Sequence, residues 1–388
     1  MLLSPIGVGT ARSQPRCAAR GACVDGRAQP PSAVPACRPR RRCASLARCS
    51  ASSPAAVKDK PDWAGGDLLS GIVNTAISTP GVYDLMKLAA RQTLISTAEK
   101  NGIPWRGEVE RWSGRAEELE RLAAQLTDAS LPMPGYYLRP FHAYADGNLC
   151  WLAAQEAESA TYSMALRVWP QEAAEGTLSW RAAAARLRGS YTGAVASYMA
   201  ARGVAPPSRV LDVGCSVGLS TRALADAFPS ATSVLGLDLS PYMLAVAVAR
   251  SEEESAHVGG TAAEQRQRVS YRHAAGEATG LPQSSIDLFS AAFLMHELPQ
   301  SASRALLAEA FRVLAPSTGV FAMTDNDPRS PIIQALPPVL FTLMKSTEPH
   351  SDEYYTFDVE GAMRDAGFVD VTSVRTDPRH RTVMGRKP

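Results

Sequence analysis

The sequence predicts an α/β protein: a seven-stranded mixed sheet, mostly parallel, with one antiparallel edge hairpin, helices on both faces and a mostly helical region in front. Three observations lead there. From residue 209 onward, short apolar runs alternate with helical patterns, as in parallel strands joined by crossover helices. The first run, VLDVG at 210–214, loosens into small residues before a helix resumes. The last two runs, 369–376 and 381–387, lie close enough to pair as a hairpin, which suits a mixed edge.

The strand candidates are RVLDVG (209–214), SVLGLDLS (233–240), VSYRHAAG (269–276), IDLFSAAF (286–293), TGVFAMTD (318–325), VDVTSVRT (369–376) and RTVMGRK (381–387). Ahead of them, residues 81–102 show a helix-like apolar pattern that stops on Asn101-Gly102. Across 108–126, Val109, Trp112, Ala116, Leu119, Ala123 and Leu126 recur at three- and four-residue steps, which predicts one apolar helix stripe packed on the domain. A segment rich in aromatics and broken by Pro and Gly follows at 131–148, then a helix pair at 149–168 and 180–203.

The chain has 388 residues and 45% hydrophobic content, ample for a core. Its best apolar run, around 335–345, is about half of the ~20 residues a membrane span needs. The whole chain carries +2 and its first 56 residues +8, so the remainder is mildly acidic at −6, which argues against a nucleic-acid binder. Residues 1–56 are rich in Arg, Ala, Ser and Pro, nearly free of acids, and lack an apolar core, as organelle transit peptides do. A plastid is the expected address, with a mitochondrion, or a functional basic tail, as alternatives. Five of the seven cysteines fall in this segment without ligand spacing, so neither zinc nor a disulfide framework is expected.

In an open parallel sheet, ligands bind beyond the carboxyl ends of the strands. The second run ends on Asp238, 24 residues after Gly214, where a carboxylate can accept both hydroxyls of a ribose. Nicotinamide and adenosyl cofactors both satisfy that much. A dinucleotide loop counted from Gly214 needs glycine at 216 and 219, and the chain has Ser216 and Leu219. The turn instead carries Asp212, which repels a pyrophosphate and suits an ammonium or a sulfonium.

On these residues the chain resembles the class I S-adenosylmethionine-dependent methyltransferases, a Rossmann-like family, and within them the UbiE-like and methyltransferase type 11 branch. The resemblance spans about 205–388 through LDVGCSVG, GLDLSPYMLAVA, GEATGLP, IDLFSAAFLMHEL and AFRVLAPSTGVFAMTD. It implies that the backbone at Gly214 and Gly218 meets the methionine part of the cofactor and that Asp212 orients its amino group. It further implies that Asp238 holds the ribose with Leu239 against the adenine, and that Glu277 and the backbone of Ala278 meet the adenine edge. Ser216 and Glu277 depart from the commoner glycine and aspartate. The stretches VLFTLMKSTEP, DEYY and TDPRHRTV also resemble plant and algal plastid members of the family.

The domain reading is a transit peptide at 1–56, a helical accessory region at 57–204, and a methyltransferase domain at 205–388 with a substrate-region insertion at about 326–358. Methyl transfer asks mainly for positioning, and for a base only when the nucleophile must lose a proton. His296, at the rim beyond the fourth strand, is the candidate base or substrate contact, with a structural hydrogen bond as the alternative. Phe293 is expected to shape the cofactor pocket. Tyr136, Tyr137 and His142, with Phe141 and Tyr144, could close over it as a lid, and Tyr354 and Tyr355 could meet substrate; core packing is the alternative for both groups. No metal site is expected from ligand spacing. The apolar run at 332–345 suggests a greasy plastid metabolite as the small-molecule substrate. The competing functions are a cofactor-binding scaffold with peripheral membrane contact and an NAD(P)-dependent oxidoreductase; oligomeric state is left open.

Overall fold

The computed structural model describes residues 82–142, 144–257, 268–336 and 347–388. The transit-peptide segment 1–56 and residues 337–345 of the apolar run lie outside the described residues. The seven strands are β1 (Arg209–Val213), β2 (Ser233–Asp238), β3 (Val269–His273), β4 (Leu288–Ala292), β5 (Val320–Asn326), β6 (Val369–Arg375) and β7 (His380–Arg386). They form one sheet in the order β3-β2-β1-β4-β5-β7-β6. The first five pair in parallel, and β7 runs antiparallel to both β5 and β6. The expected hairpin is thus present, with β7 inserted inside the edge strand.

Strand order reverses between β1 and β4, which opens a crevice at their carboxyl ends where ligands of such sheets bind. Alternate residues serve the two faces. Leu211, Val213, Phe289, Ala291, Phe321 and Met323 meet α9 (Gln300–Val313) and α12 (Val359–Asp365) through Leu306, Leu307, Ala310 and Met363. Val210, Leu288, Ala292, Val320 and Ala322 meet α6 (Trp180–Ala200) and α7 (Leu219–Ala227) on the other face. Tyr191 of α6 carries its hydroxyl into this layer and satisfies it on Ser290 (2.9 Å) and the Ala322 carbonyl (3.1 Å).

The N-terminal helices α1 (Val82–Lys100), α2 (Trp105–Ser113), α3 (Ala116–Leu126) and α4 (Trp151–Leu166), with the short α5 (Pro170–Ala174), belong to the same compact unit as the sheet. Trp112, Leu119, Leu122 and Ala123 pack on Met243, Val246 and Ala249 of α8 (Pro241–His257), so the apolar stripe faces the domain as expected. The stripe is not one helix. It breaks at Gly114, a poor helix former, and Arg115 turns its guanidinium to Glu118 (2.7 Å) and to Glu253 of α8, leaving Ala116 exposed. Around the insertion, the short α10 (Pro331–Gln334) and α11 (Ser351–Tyr355) pack beside the carboxyl end of β5.

Candidate functional site

The turn after β1 is wound in the left-handed region at three places, Gly214 (φ 67°), Ser216 (φ 49°) and Gly218 (φ 77°). A Cβ at Gly214 would meet Leu294 Cδ1 at 2.7 Å, and one at Gly218 would collide with the Tyr271 hydroxyl, so both positions require glycine. The turn is tied to β2 by Cys215 N–H donating to the Leu237 carbonyl (3.0 Å) and Ser216 N–H donating to Asp238 Oδ2 (2.8 Å). Asp238 Oδ1 accepts from Ser240 N–H (2.8 Å) and from the Tyr137 hydroxyl (3.3 Å). Burial pushes the Asp238 carboxyl above its ordinary range, against those bonds.

These groups open on a cavity of about 860 Å³, whose wall includes Gly214, Ser216, Asp238, Leu239, Glu277, Phe293 and His296. That volume is at the upper end of the ~300–1,000 Å³ of small-molecule sites. Tyr136, Tyr137, His142 and Tyr144 of the 131–148 segment also line it, in the place expected of a lid. The Tyr136 hydroxyl donates to Glu277 Oε1. Phe293 follows β4 with φ 58°, donates its N–H to the Thr324 carbonyl (2.8 Å) and lines the wall.

Five sequence candidates stand off the wall, the first being Gly218, whose open side is taken by the Tyr271 ring. Asp212 is fully buried under the turn, where Oδ2 accepts from the Ser220 (2.6 Å) and Thr221 (2.7 Å) hydroxyls and Oδ1 from Ser290 (3.3 Å). It anchors the start of α7, and Ser220 lies between it and the cavity. Ala278 is exposed and its N–H donates to the Ala275 carbonyl (3.3 Å), so it is not presented to the cavity. Tyr354 and Tyr355 are buried in the sheet core, at 1% and 3% exposure, with the Tyr354 hydroxyl donating to the Asn326 carbonyl (2.6 Å). The bulk of both rings is used for packing; Tyr354 reaches the site only through its edge-on contact with the His296 ring, centroids 6.5 Å apart.

His296 sits in a 3₁₀ turn, Met295–Glu297, and its Nδ1 lies 3.0 and 3.1 Å from the two oxygens of Asp325, which also accepts the His296 N–H (3.1 Å). Burial works against a charge on the imidazole, but Asp325, with Glu348 and Glu297, outweighs it and pushes His296 up to about 10. Glu297 is pushed up to about 8 by burial, and enclosure among the cavity groups with the charge of His296 lowers His142, whose side chain stays 42% exposed. The ligand atoms of His142, His296 and Glu297 lie within 4.8 Å of one another, a grouping that chain spacing hides. With Asp325 on His296 Nδ1, the group is arranged to share protons.

Asp325 escaped the sequence reading although it closes the strand TGVFAMTD, at the end of a parallel strand where site residues gather. Arg167, Arg188 and Arg379 also reach the wall; Arg167 and Arg188 carried no motif, and Arg379, within TDPRHRTV, was given no role. Of the 326–358 insertion, Asn326, Leu336, Thr347 and Glu348 line the cavity among the described residues. The donor set fits a cationic adenosyl compound. Two carboxylates face positions suited to hydroxyl and amino donors, and the turn that joins them leaves no room for a side chain at Gly214.

Residues 210–317 match the methyltransferase domain family. Trans-aconitate 2-methyltransferase of Methylobacterium nodulans is 38% identical over 125 residues, 32% of this chain and 41% of the relative, so the chain spans well under half the length of that relative. Among solved structures, phosphoethanolamine N-methyltransferase 2 of Haemonchus contortus with S-adenosylmethionine is 17% identical, covering 50% of this chain and 52% of its own at a TM-score of 0.37. An S-adenosylmethionine-dependent methyltransferase of Aquifex aeolicus is 19% identical, covering 51% and 91%, at a TM-score of 0.37.

Proposed function

Taking as premise that residues 210–317 are a class I S-adenosylmethionine-dependent methyltransferase domain, we propose that this chain methylates a small, partly hydrophobic metabolite by in-line displacement. The observation that carries the proposal is Asp238: a carboxylate at the end of β2, on the cavity wall, clamped by the N–H of Ser216 from the glycine turn. S-adenosylmethionine supplies an activated methyl group on a good leaving group. The chain supplies the rest. Asp238 receives the ribose hydroxyls, Glu277 the adenine amino edge, and the backbone around Gly214 and Ser216 the methionine part. Asp212 acts from beneath by holding Ser220 and Thr221, and so the turn, in place.

Acceptor space lies against the apolar part of the cavity wall. There Ala157, Ala160 and Met164 of α4 present one apolar helix face, which supports a partly hydrophobic acceptor. His296 is the group placed to take or hold a proton of the acceptor, oriented by Asp325. Tyr136, Tyr137 and His142 cover the cofactor end and exclude water from it. The composition of residues 1–56 supports a plastid address, and among the described residues no helix is long and apolar enough to cross a membrane.

The test is calorimetric titration of the full chain with S-adenosylmethionine, S-adenosylhomocysteine and NADPH, beside Asp238→Ala. Micromolar binding of both adenosyl ligands, lost in the variant, with none of NADPH, is the expected result. A folded protein that binds neither adenosyl ligand overturns the proposal and favours a scaffold.

A further inference from the structure

We infer that the acceptor half of the cavity holds an oxyanion subsite built from Arg167 and Arg379, and that the methyl acceptor is a small acid carrying a carboxylate or a phosphate. The acceptor assignment rests on the methyltransferase reading above; the subsite itself does not.

Three guanidiniums reach the cavity wall without a carboxylate partner among the described residues: Arg167, Arg188 and Arg379. Arg91, also on the wall, is by contrast already paired with Glu156. Arg188, and the residue that follows Arg379, meet Phe293. The Arg188 guanidinium lies 5.6 Å from its ring centre, and His380, next to Arg379, meets the ring edge-on at 5.1 Å. Arg167, at the end of α4, spends Nε on the Ser163 carbonyl (3.2 Å) and keeps both terminal nitrogens free. Arg379 has a buried Nε with no hydrogen-bond partner. Its nearest acid in sequence, Asp377, is consumed by His380 Nδ1 (2.8 Å) and by the N–H groups of Arg379 and His380 (2.8 and 2.9 Å).

Arg188 and Arg379 are half-buried and Arg167 is exposed, so all three remain charged, and an arginine does not give up its proton to escape a like charge. Arg167 and Arg379 line the same cavity, and enclosure by its wall holds all three below their ordinary values, with the charge of Arg379 lowering Arg167 further. Glu348 is on the same wall and favours the charge of Arg379, but forms no ion pair with it; burial holds the Glu348 carboxyl itself toward its neutral form. The Arg379 turn is tied to the residue after β5, since its carbonyl accepts from Asp327 N–H (2.8 Å).

Counting charges then separates two anions. S-adenosylmethionine carries one carboxylate, and Arg188, which feels Asp212 beneath the glycine turn, is the cation on that side. Arg167 and Arg379 remain, two forked donors facing one cavity, which is the arrangement that binds a planar or tetrahedral oxyanion from two directions. Ala157, Ala160 and Met164 beside them leave room for an apolar body.

The test uses melting curves of the full chain, wild type, Arg379→Met and Arg167→Met, at matched ionic strength in chloride, sodium hexanoate, sodium phosphate or hexanamide. Saturable stabilisation of the wild type by hexanoate or phosphate, absent with neutral hexanamide and lost in both variants, is expected. Arg379→Met should also melt higher than wild type in chloride, because it removes an unpaired cation. Response to hexanoate alone identifies a carboxylate acceptor, and response to phosphate alone a phosphorylated one. Equal anion responses in wild type and variants, or none in any, overturn the subsite. Titration of the same proteins with S-adenosylhomocysteine separates the two readings: if it binds all three proteins while anions do nothing, only the subsite fails.

Discussion

The Tyr137 hydroxyl donates to Asp238 Oδ1 at 3.3 Å, beside a second bond from Ser240 N–H at 2.8 Å, so both lone pairs of that oxygen are occupied. Oδ2 accepts only Ser216 N–H and has one position left. Its neighbour Tyr136 is bound in the same way to Glu277. Adjacent tyrosines of the covering segment therefore satisfy the two carboxylates assigned to the cofactor.

A ribose offering two hydroxyls must displace one of those donors. Tyr137→Phe removes the competitor, and a net hydrogen bond of about 0.5–1.5 kcal/mol converts to a several-fold tighter affinity for S-adenosylhomocysteine. Calorimetry on wild type and variant checks this. Weaker binding in Tyr137→Phe would mean that the tyrosine stays and shares the ligand.

Gly218→Ala is expected to destabilise the chain by about 1–3 kcal/mol, since it imposes both a left-handed φ of 77° on an L-residue and a clash with the Tyr271 hydroxyl. Urea unfolding measures the loss. Adding Tyr271→Phe should return part of it; a variant as stable as wild type would show that the turn relaxes freely.

Asp212→Asn tests whether that residue acts on the fold or on the ligand. The carboxylate accepts three hydroxyls, and an amide presents a donor to at least one of them, at a cost of about 1–3 kcal/mol. The melting temperature should fall, while affinity for S-adenosylhomocysteine, measured well below the transition, should change less than in Asp238→Ala. The reverse ranking would place Asp212 in contact with ligand.

What could be read from the sequence follows from what is local. Asp238, Gly214 and Gly218 were legible because a strand end and a positive-φ turn are written in consecutive residues, and the alternation of apolar runs carried all seven strands. Asp212 was found for its motif but misplaced, because its burial depends on Ser290 of β4, 78 residues away. Tyr354 and Tyr355 look alike as aromatic contacts in sequence, and only packing against the sheet makes them core. Arg167 and Arg379 come from α4 and the β6–β7 turn, and no spacing rule joins them. Gly114 was a visible helix breaker inside the stripe at 108–126, and its low propensity outweighed the apolar period.

His296 and Glu297 should make the chain lose stability as pH rises. Both are raised in the folded state, to about 10 and about 8, above unfolded values of about 6.5 and about 4.3. The folded chain therefore holds more protons than the unfolded one over this range, and stability falls with increasing pH. The Glu297 contribution is complete below its unfolded value and lost on passing about 8, and that of His296 is complete below about 6.5 and lost on passing about 10. Melting temperature recorded from pH 6 to about 10 should fall in wild type and fall less in His296→Asn, the difference between the two curves being the imidazole's share. Asp325→Asn should act in the same direction, because the charge that raises His296 is gone and burial alone pushes the imidazole down. In methyl transfer to an acceptor that must lose a proton, the rising limb of the pH–rate profile should move to lower pH in Asp325→Asn. An unmoved limb would take His296 out of the proton-transfer step and leave it an orienting group.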